Sequence, residues 1–343
     1  MSELSQLKFP AIYSQLAKDF IDTIMQGSAI DFSISKGLEL LNIPANILQD
    51  PDARLDGDQI SLLLTLGQML AKKGKPFSLQ ITQHFKEDTL GMLGLAIINA
   101  DDAEQALNLF QEYAEVYIPG FDFSLNYNDK YLDIEILPLV NFKKIEALFV
   151  ELIFGAFDFY GKRSGLDAVG EYFFSHDISA YKSQLEVEFE CPVHSLAPVS
   201  KIRISRSALS QKVKKPNSSM LAFYIAQLDA DKAKREQQNS IGFQARRIMY
   251  HQAKKGTFLN RDQLADELSC SHRTLTRKLK SDGLSFQMLL DEVRYSMAKQ
   301  MLYQSSKSTK QVASHIGINN PAVFCRAFKK WSGMTPTEYR ERH

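Results

Sequence analysis

The chain has 343 residues, 44% hydrophobic and 24% charged, with 41 Lys+Arg against 40 Asp+Glu; this composition excludes a disordered or low-complexity protein. Cysteines 191, 270 and 325 stand far apart without paired spacing, which excludes a disulfide framework and a cysteine-based zinc site. Charges run through the first twenty residues and no apolar run reaches membrane-spanning length, so a cytoplasmic protein with no membrane partner is expected.

Residues 12–26, 33–43, 59–74, 89–100 and 102–117 each space their apolar positions by three and four and are separated by turn signals, which predicts helices. The period then changes. Residues 121–137, FDFSLNYNDKYLDIEIL, alternate apolar and polar about Asn126-Tyr127-Asn128-Asp129, the pattern of a hairpin. An apolar helix is predicted over 143–161, followed by strand candidates at 171–176, 185–190 and 200–209. The expected fold of this part is α+β, helices first and a mainly antiparallel sheet after them. Residues 221–240 read as a polar helix or linker, and everything beyond 241 reads as helix. The expected boundaries are 1–210 for a ligand-sensing or regulatory domain, 211–241 for a helical linker, and 242–343 for an all-α domain.

Charge divides along the same line. Residues 240–343 carry 18 Lys+Arg against 8 Asp+Glu, leaving 23 against 32 for the preceding 239 residues. A basic segment of this size is the electrostatic footprint of a nucleic-acid-binding module, because neutralising phosphates releases counterions.

Within that segment the chain repeats itself. Leu264, Ala265, Leu268 and Ser269 align with Val312, Ala313, Ile316 and Gly317 at an offset of 48, and Leu275, Arg277, Leu279 and Lys280 align with Phe324, Arg326, Phe328 and Lys329 at an offset of 49. Each copy has a short helix with a small Ala inside, a small turn residue, and a second helix opened by a capping residue, Ser271 in one and Asn319 or Asn320 in the other. This is the layout of two helix-turn-helix units, about 261–282 and 309–332, joined by a long helix at about 285–305. The second helix of each pair meets DNA with its N-terminal half. The outward residues there are His272, Arg273, Thr276 and Arg277 in the first copy and Pro321, Ala322, Cys325 and Arg326 in the second. With Ser271, Lys280, Asn319, Asn320 and Lys329 they form the expected DNA-binding set. The first copy has more hydrogen-bonding capacity and is expected to read bases; the second is expected to favour phosphates and thymine methyls. A rigid connector would set the two recognition helices about one DNA turn apart.

These residues resemble the DNA-binding domain of the AraC/XylS transcriptional regulators, through LADELSCSHRTLTRKLKSDGLSF, the connector with Arg294 and Ala298, and VASHIGINNPAVFCRAFKKWSGMTPTEYR. The tail, with Phe324, Arg326-Ala327-Phe328-Lys329, Gly333, Thr335-Pro336 and Tyr339-Arg340, is that family's most diagnostic stretch; Ile318 departs from it where an aromatic is common. The first 210 residues resemble a sensor domain of arabinose-binding type found in a subgroup of the family, through LLNIPANILQDPDARLDGDQI, TLGMLGLAIINADDAEQAL and FECPVHSLAPVSKIRISRSAL. That name assigns no ligand, and the helix-rich start differs from the cupin barrel of better-known members. The resemblance implies a sequence-specific regulator of transcription, an activator, with double-stranded DNA as partner, a small-molecule effector, and RNA polymerase and a second copy of the chain as further candidates. No cofactor is implied. The alternative is a ligand-independent architectural or partner-recruiting DNA binder.

Other residues invite sharper readings. Cys191 and His194 in CPVH suggest a metal or a nucleophile, but no second pair stands nearby, and the Pro-Cys-His-Arg context of Ada-type repair proteins is missing. His84, His176 and His251 are isolated. Phe149, Phe154, Phe157, Phe159 and Tyr160 fit either an apolar pocket or a helix packed on a sheet. Trp331 reads as a helix-end plug, and Lys212, Lys214 and Lys215 as a solvated loop. No nucleophile, base and oxyanion donors can be assembled from these residues, so no enzyme is expected.

Overall fold

The computed structural model describes residues 3–10, 12–25, 38, 39, 43, 53–166, 169–236, 240–304 and 307–342. They form two compact units, one of residues up to 195 with 200–238, the other of 239–343 with 196–199.

The first unit opens with α1 (Glu3–Gln6), β1 (Lys8–Pro10), α2 (Ile12–Met25), β2 (Arg54–Asp56), α3 (Gly57–Leu70), α4 (Phe77–Thr82), α5 (Gly91–Ile98) and α6 (Ala103–Tyr117). Local chemistry sets several of these ends. Asp56 accepts from the Gln59 amide while the Gln59 side chain accepts from the Asp56 amide, both at 2.9 Å, a reciprocal box that starts α3. Asp102 caps α6 by accepting from the Gln105 amide at 3.0 Å, while the Gln105 side chain accepts from the preceding Asp101 amide. The helix expected at 33–43 lies mostly outside the described residues, as does much of LLNIPANILQDPDARLDGDQI, residues 40–60. The β1–β2 pair and the short α4 carry no periodic signature in sequence.

Next come β3 (Phe121–Tyr127) and β4 (Tyr131–Pro138), α7 (Glu146–Ser164), β5 (Val169–Phe173), α8 (Lys182–Phe189), β6 (Val193–His194), β7 (Ser200–Ser205) and α9 (Ser218–Glu236). The larger sheet has the order β3-β4-β7-β5-β6, antiparallel except for β5–β6. Leu125 faces Ile134 and Tyr127 faces Leu132 in the expected hairpin, whose turn closes on Asn128, the Oδ1 accepting from the Lys130 and Tyr131 amides. Alternation sorts the strands into two faces. Ile134, Tyr172, Ile202 and Ile204 are buried, with Phe154 on α7 5.0 Å from the Tyr172 ring and Phe110 on α6 4.7 Å from Phe123. The opposite face carries Asp133, held by Lys201 at 2.6 Å and Arg203 at 2.7 Å. Helices over one sheet face agree with the α+β expectation.

One strand expectation is wrong. Residues 185–189 belong to α8 and Glu190 is the left-handed residue that ends it, because Leu185 and Phe189, four apart, are both buried while Val187 between them is 79% exposed. Six residues of apolar-polar alternation satisfied both periods, and packing chose the helical one. Helix α9 lies within the segment expected as a linker; it buries Leu221, Tyr224 and Leu228, and its Asp229 accepts from the Tyr113 hydroxyl at 2.7 Å.

The described residues of the second unit are helical: α10 (Ile241–Lys254), α11 (Arg261–Glu267), α12 (His272–Ser281), α13 (Phe286–Gln304), α14 (Thr309–His315), α15 (Pro321–Ser332) and α16 (Pro336–Arg342).

Candidate nucleic-acid interface

The repeat seen in sequence is a repeat of hydrogen bonds. Asn260 opens α11 and Ser308 opens α14, each in a reciprocal box with a glutamine three residues on, Gln263 or Gln311. Both short helices end alike: the Cys270 amide donates to the Ala265 carbonyl at 2.9 Å and the Ile318 amide to the Ala313 carbonyl at 2.8 Å, around left-handed turn residues Ser269 (φ 49°) and Gly317 (φ 72°). Ala265 and Ala313 are buried, and their small side chains let α12 and α15 cross closely. Leu264, Leu275 and Leu279 fill the core of the first copy; Val312, Ile316, Phe324 and Phe328 fill the second. Ile318 is half-buried.

The basic residues are then left outside. Ser271 caps α12, accepting from the Thr274 amide at 3.2 Å, and His272, Arg273, Thr276, Arg277 and Lys280 are all exposed. His272 is not free, because its Nε2 lies 3.1 Å from Nη1 of Arg261, a residue the sequence did not single out. In the second copy the cap is Asn320, which accepts from the Ala322 and Val323 amides at 2.9 and 3.4 Å, and Pro321 occupies the first helical turn. Asn319, Ala322, Arg326 and Lys329 are exposed, while Pro321 and Cys325 are half-buried. Arg326, Lys329 and Lys330 thus stand on the side of α15 away from Phe324 and Phe328.

Two arginines that carry the family resemblance, one in the connector and one in the tail, turn inward instead. Arg294 on α13 donates to the Ile316 and Gly317 carbonyls, each at 3.0 Å, and lies 5.9 Å from the Phe258 ring. Burial pulls its pKa below the ordinary arginine value. Arg340 on α16 donates to the Leu302 and Lys307 carbonyls at 3.3 and 2.6 Å, tying the last helix to the end of α13. Trp331 packs beside Tyr295, ring centroids 6.1 Å apart, within a cluster that includes Phe328 and Tyr339. None of these couplings has a short-range signature.

The first unit resolves its sharper candidates. Burial and Asp158 push the Cys191 thiol up to about 11, so its nucleophilic form is scarce near neutral pH. His194 bonds Glu171 at 2.7 Å and stacks on Phe173. His176 bonds Glu151, a buried carboxylate that also accepts from Tyr181 at 2.6 Å and from Ser78. Burial lowers the His84 pKa, and its ring meets Phe20 edge-on; His251, in the second unit, lies in the last turn of α10. No cluster of three His, Cys, Asp or Glu suited to a metal occurs among the described residues. No helix among them is long and apolar enough to cross a membrane. Lys212 pairs with Asp102 at 3.0 Å, and Lys214 and Lys215 are exposed. The aromatic group divides: Phe154 packs in the core against Tyr172 and Phe174, Phe149 lines one cavity, and Phe157 and Tyr160 line another.

Comparison with known proteins covers both units. Residues 264–342 match a family model described as a helix-turn-helix domain, and residues 33–213 match one described as the N-terminal arabinose-binding domain of AraC transcription regulator. An ornithine utilization regulator from Pseudomonas aeruginosa is 27% identical over 307 residues, 86% of this chain and 87% of that one. The HTH-type transcriptional regulator GadX of Escherichia coli strain K12 is 38% identical over 80 residues, 23% of this chain and 29% of its own. Among solved structures, that of transcriptional regulator CdpR from Pseudomonas aeruginosa aligns over 92% of this chain and all of its own, at 16% identity and a TM-score of 0.42.

Proposed function

The chain belongs to the AraC family of transcription regulators, and from that premise we propose that it reads a promoter site with the N-terminal halves of α12 and α15. Residues 242–343 would form the DNA-binding domain, 1–210 the regulatory domain and 211–241 the segment joining them. The observation that carries this reading is the doubled framework of cap, left-handed turn and buried alanine, which leaves Arg273, Thr276, Arg277, Arg326 and Lys329 exposed on the second helix of each pair. In this reading Arg273 and Arg277, with Thr276 and His272, supply base contacts. Ser271, Lys280, Asn319, Asn320 and Lys329 hold phosphates, and Pro321, Ala322, Cys325 and Arg326 meet the second groove segment through thymine methyls and the backbone.

The regulatory unit would bind a small molecule whose differential affinity shifts the population between states of unequal DNA affinity. Activation, contact with RNA polymerase and pairing of two copies belong to the same reading and rest on family membership. The test is selection of a preferred site by the full-length chain, followed by affinity measurements at several salt concentrations. Arg273→Ala is expected to cost about 1–3 kcal/mol on the selected site and to relax preference at one base pair. Lys329→Ala is expected to weaken binding evenly across sequences and to lower the salt slope by about 1. Binding without any selected sequence would favour an architectural DNA binder instead.

A further inference from the structure

Two cavities of about 80 Å³ each lie side by side along α7 in the first unit. One is bordered by α2, α3, α4 and α7, with Phe20, Leu63, Phe77, Phe149 and Ile153 in its wall; the other lies between α6, α7 and β7, with Leu107, Phe110 and Ile204. Leu90 and Ala156 line both. The backbone is shaped to the first cavity: a Cβ on Gly67 would stand 2.7 Å from the tip of the Phe77 ring, so only glycine lets that ring close the wall where it does.

The described lining residues include no charged side chain, and each of their few hydroxyls already holds at least one hydrogen bond within the protein. Tyr13 donates to the Tyr117 carbonyl at 2.8 Å, Thr89 accepts from the Lys86 amide at 2.7 Å, and Tyr160 accepts from the Leu90 amide at 2.9 Å. A sugar entering here would surrender its water and find too few partners for its several hydroxyls among the described lining residues, and an amino acid would bury two charges beside none of them. An apolar molecule gives up no hydrogen bonds by entry, only its translational and rotational freedom. It gains dispersion contacts with wall atoms that otherwise lack partners on that side.

We propose that this pair of cavities is the ligand site of the regulatory unit and that it takes a small, uncharged, hydrocarbon-rich molecule, the size of a single aromatic ring or a short alkyl chain. The assignment rests on reading this unit as ligand-sensing and narrows the ligand class, against the sugar that the domain's name suggests. The test uses the full-length chain and fluorobenzene, its ¹⁹F line followed through a titration, with D-xylose and L-lysine as polar controls and with two cavity-filling variants. Ala156→Leu fills the wall shared by both cavities; Ala17→Phe fills the first from a half-buried position on α2 and carries the test if the other variant does not fold. Saturable fluorobenzene binding, weakened about tenfold or more by the filling variant, is the expected result. Absence of saturation, binding untouched by the folded variants, or saturable binding of xylose or lysine that the variants weaken would each overturn the assignment. DNA affinity of the same preparations is measured separately. A chain that binds its site but no fluorobenzene refutes the ligand class alone, and one that binds fluorobenzene but no DNA refutes the regulator reading alone.

Discussion

Arg294 offers a quantitative test of how the second helix-turn-helix is held. Its guanidinium spans two carbonyls, Ile316 and Gly317, at 3.0 Å each, at the turn that aims α15. Hydrogen bonds from a charged donor contribute about 1.5–3 kcal/mol each when desolvated. The side chain is half-exposed and water would replace part of what is lost, so Arg294→Ala is expected to cost about 2 kcal/mol. Arg294→Lys should recover less than half of that, because an ammonium on a flexible stem cannot bridge two carbonyls as a planar fork does. Trp331 is the only tryptophan in the chain and sits in this unit beside Tyr295, so urea unfolding followed by its fluorescence reports on this region. With a urea dependence of about 1–2 kcal/mol per molar for a unit this size, the midpoint should fall by about 1–2 M in the alanine variant. A shift below about 0.3 M, or a lysine variant indistinguishable from the parent, would refute the clamp.

The two turns make a natural pair. Ser269 and Gly317 occupy equivalent left-handed positions, so Ser269→Gly should stabilise and Gly317→Ser should destabilise, each by about 1 kcal/mol in the same assay; a Cβ at Gly317 would still clear Arg294 Nη2 by 3.4 Å, leaving backbone strain as the main cost. On the sheet, burial would raise the Asp133 pKa, but hydrogen bonds from Arg203 and Lys201 outweigh it and hold the carboxyl below its usual value. A depressed folded pKa means stabilisation that is complete above the unfolded pKa and is lost as pH falls through the folded one. Asp133→Asn is therefore expected to cost roughly 2–3 kcal/mol at pH 7 and progressively less below about pH 4, read by thermal melts across that range. An undiminished difference at pH 2 would argue against the ion pair as its source.

The DNA-binding unit was legible because its determinants are local. A small alanine inside the first helix, a small residue at the turn and a capping residue that opens the second helix all fall within about ten residues of each other, so the doubled motif survives as a doubled string; the boxes that open the first helices were found only in the structure. Identifying the cap as Asn320 over Asn319 needed the geometry, since both residues can cap. Legibility failed where two periods fit one short string, as in residues 185–190. It failed again where a charged residue turns inward: nothing in the string around Arg294 or Arg340 gives them a structural role, and the carbonyls they grip lie 22 to 38 positions away.

From its sequence alone this protein could be read as a basic, doubled helix-turn-helix preceded by an acidic α+β unit, because capping, periodicity and charge act over a few bonds or simply add up along the chain. Only the tertiary structure decided that Tyr13, Phe20, Phe77 and Phe149 converge on one apolar cavity. It also decided that the hydroxyls lining that cavity are already engaged, and that the connector's arginine locks a distant turn. Those outcomes depend on which segments meet, and segments far apart in sequence meet only through the packing of the whole unit.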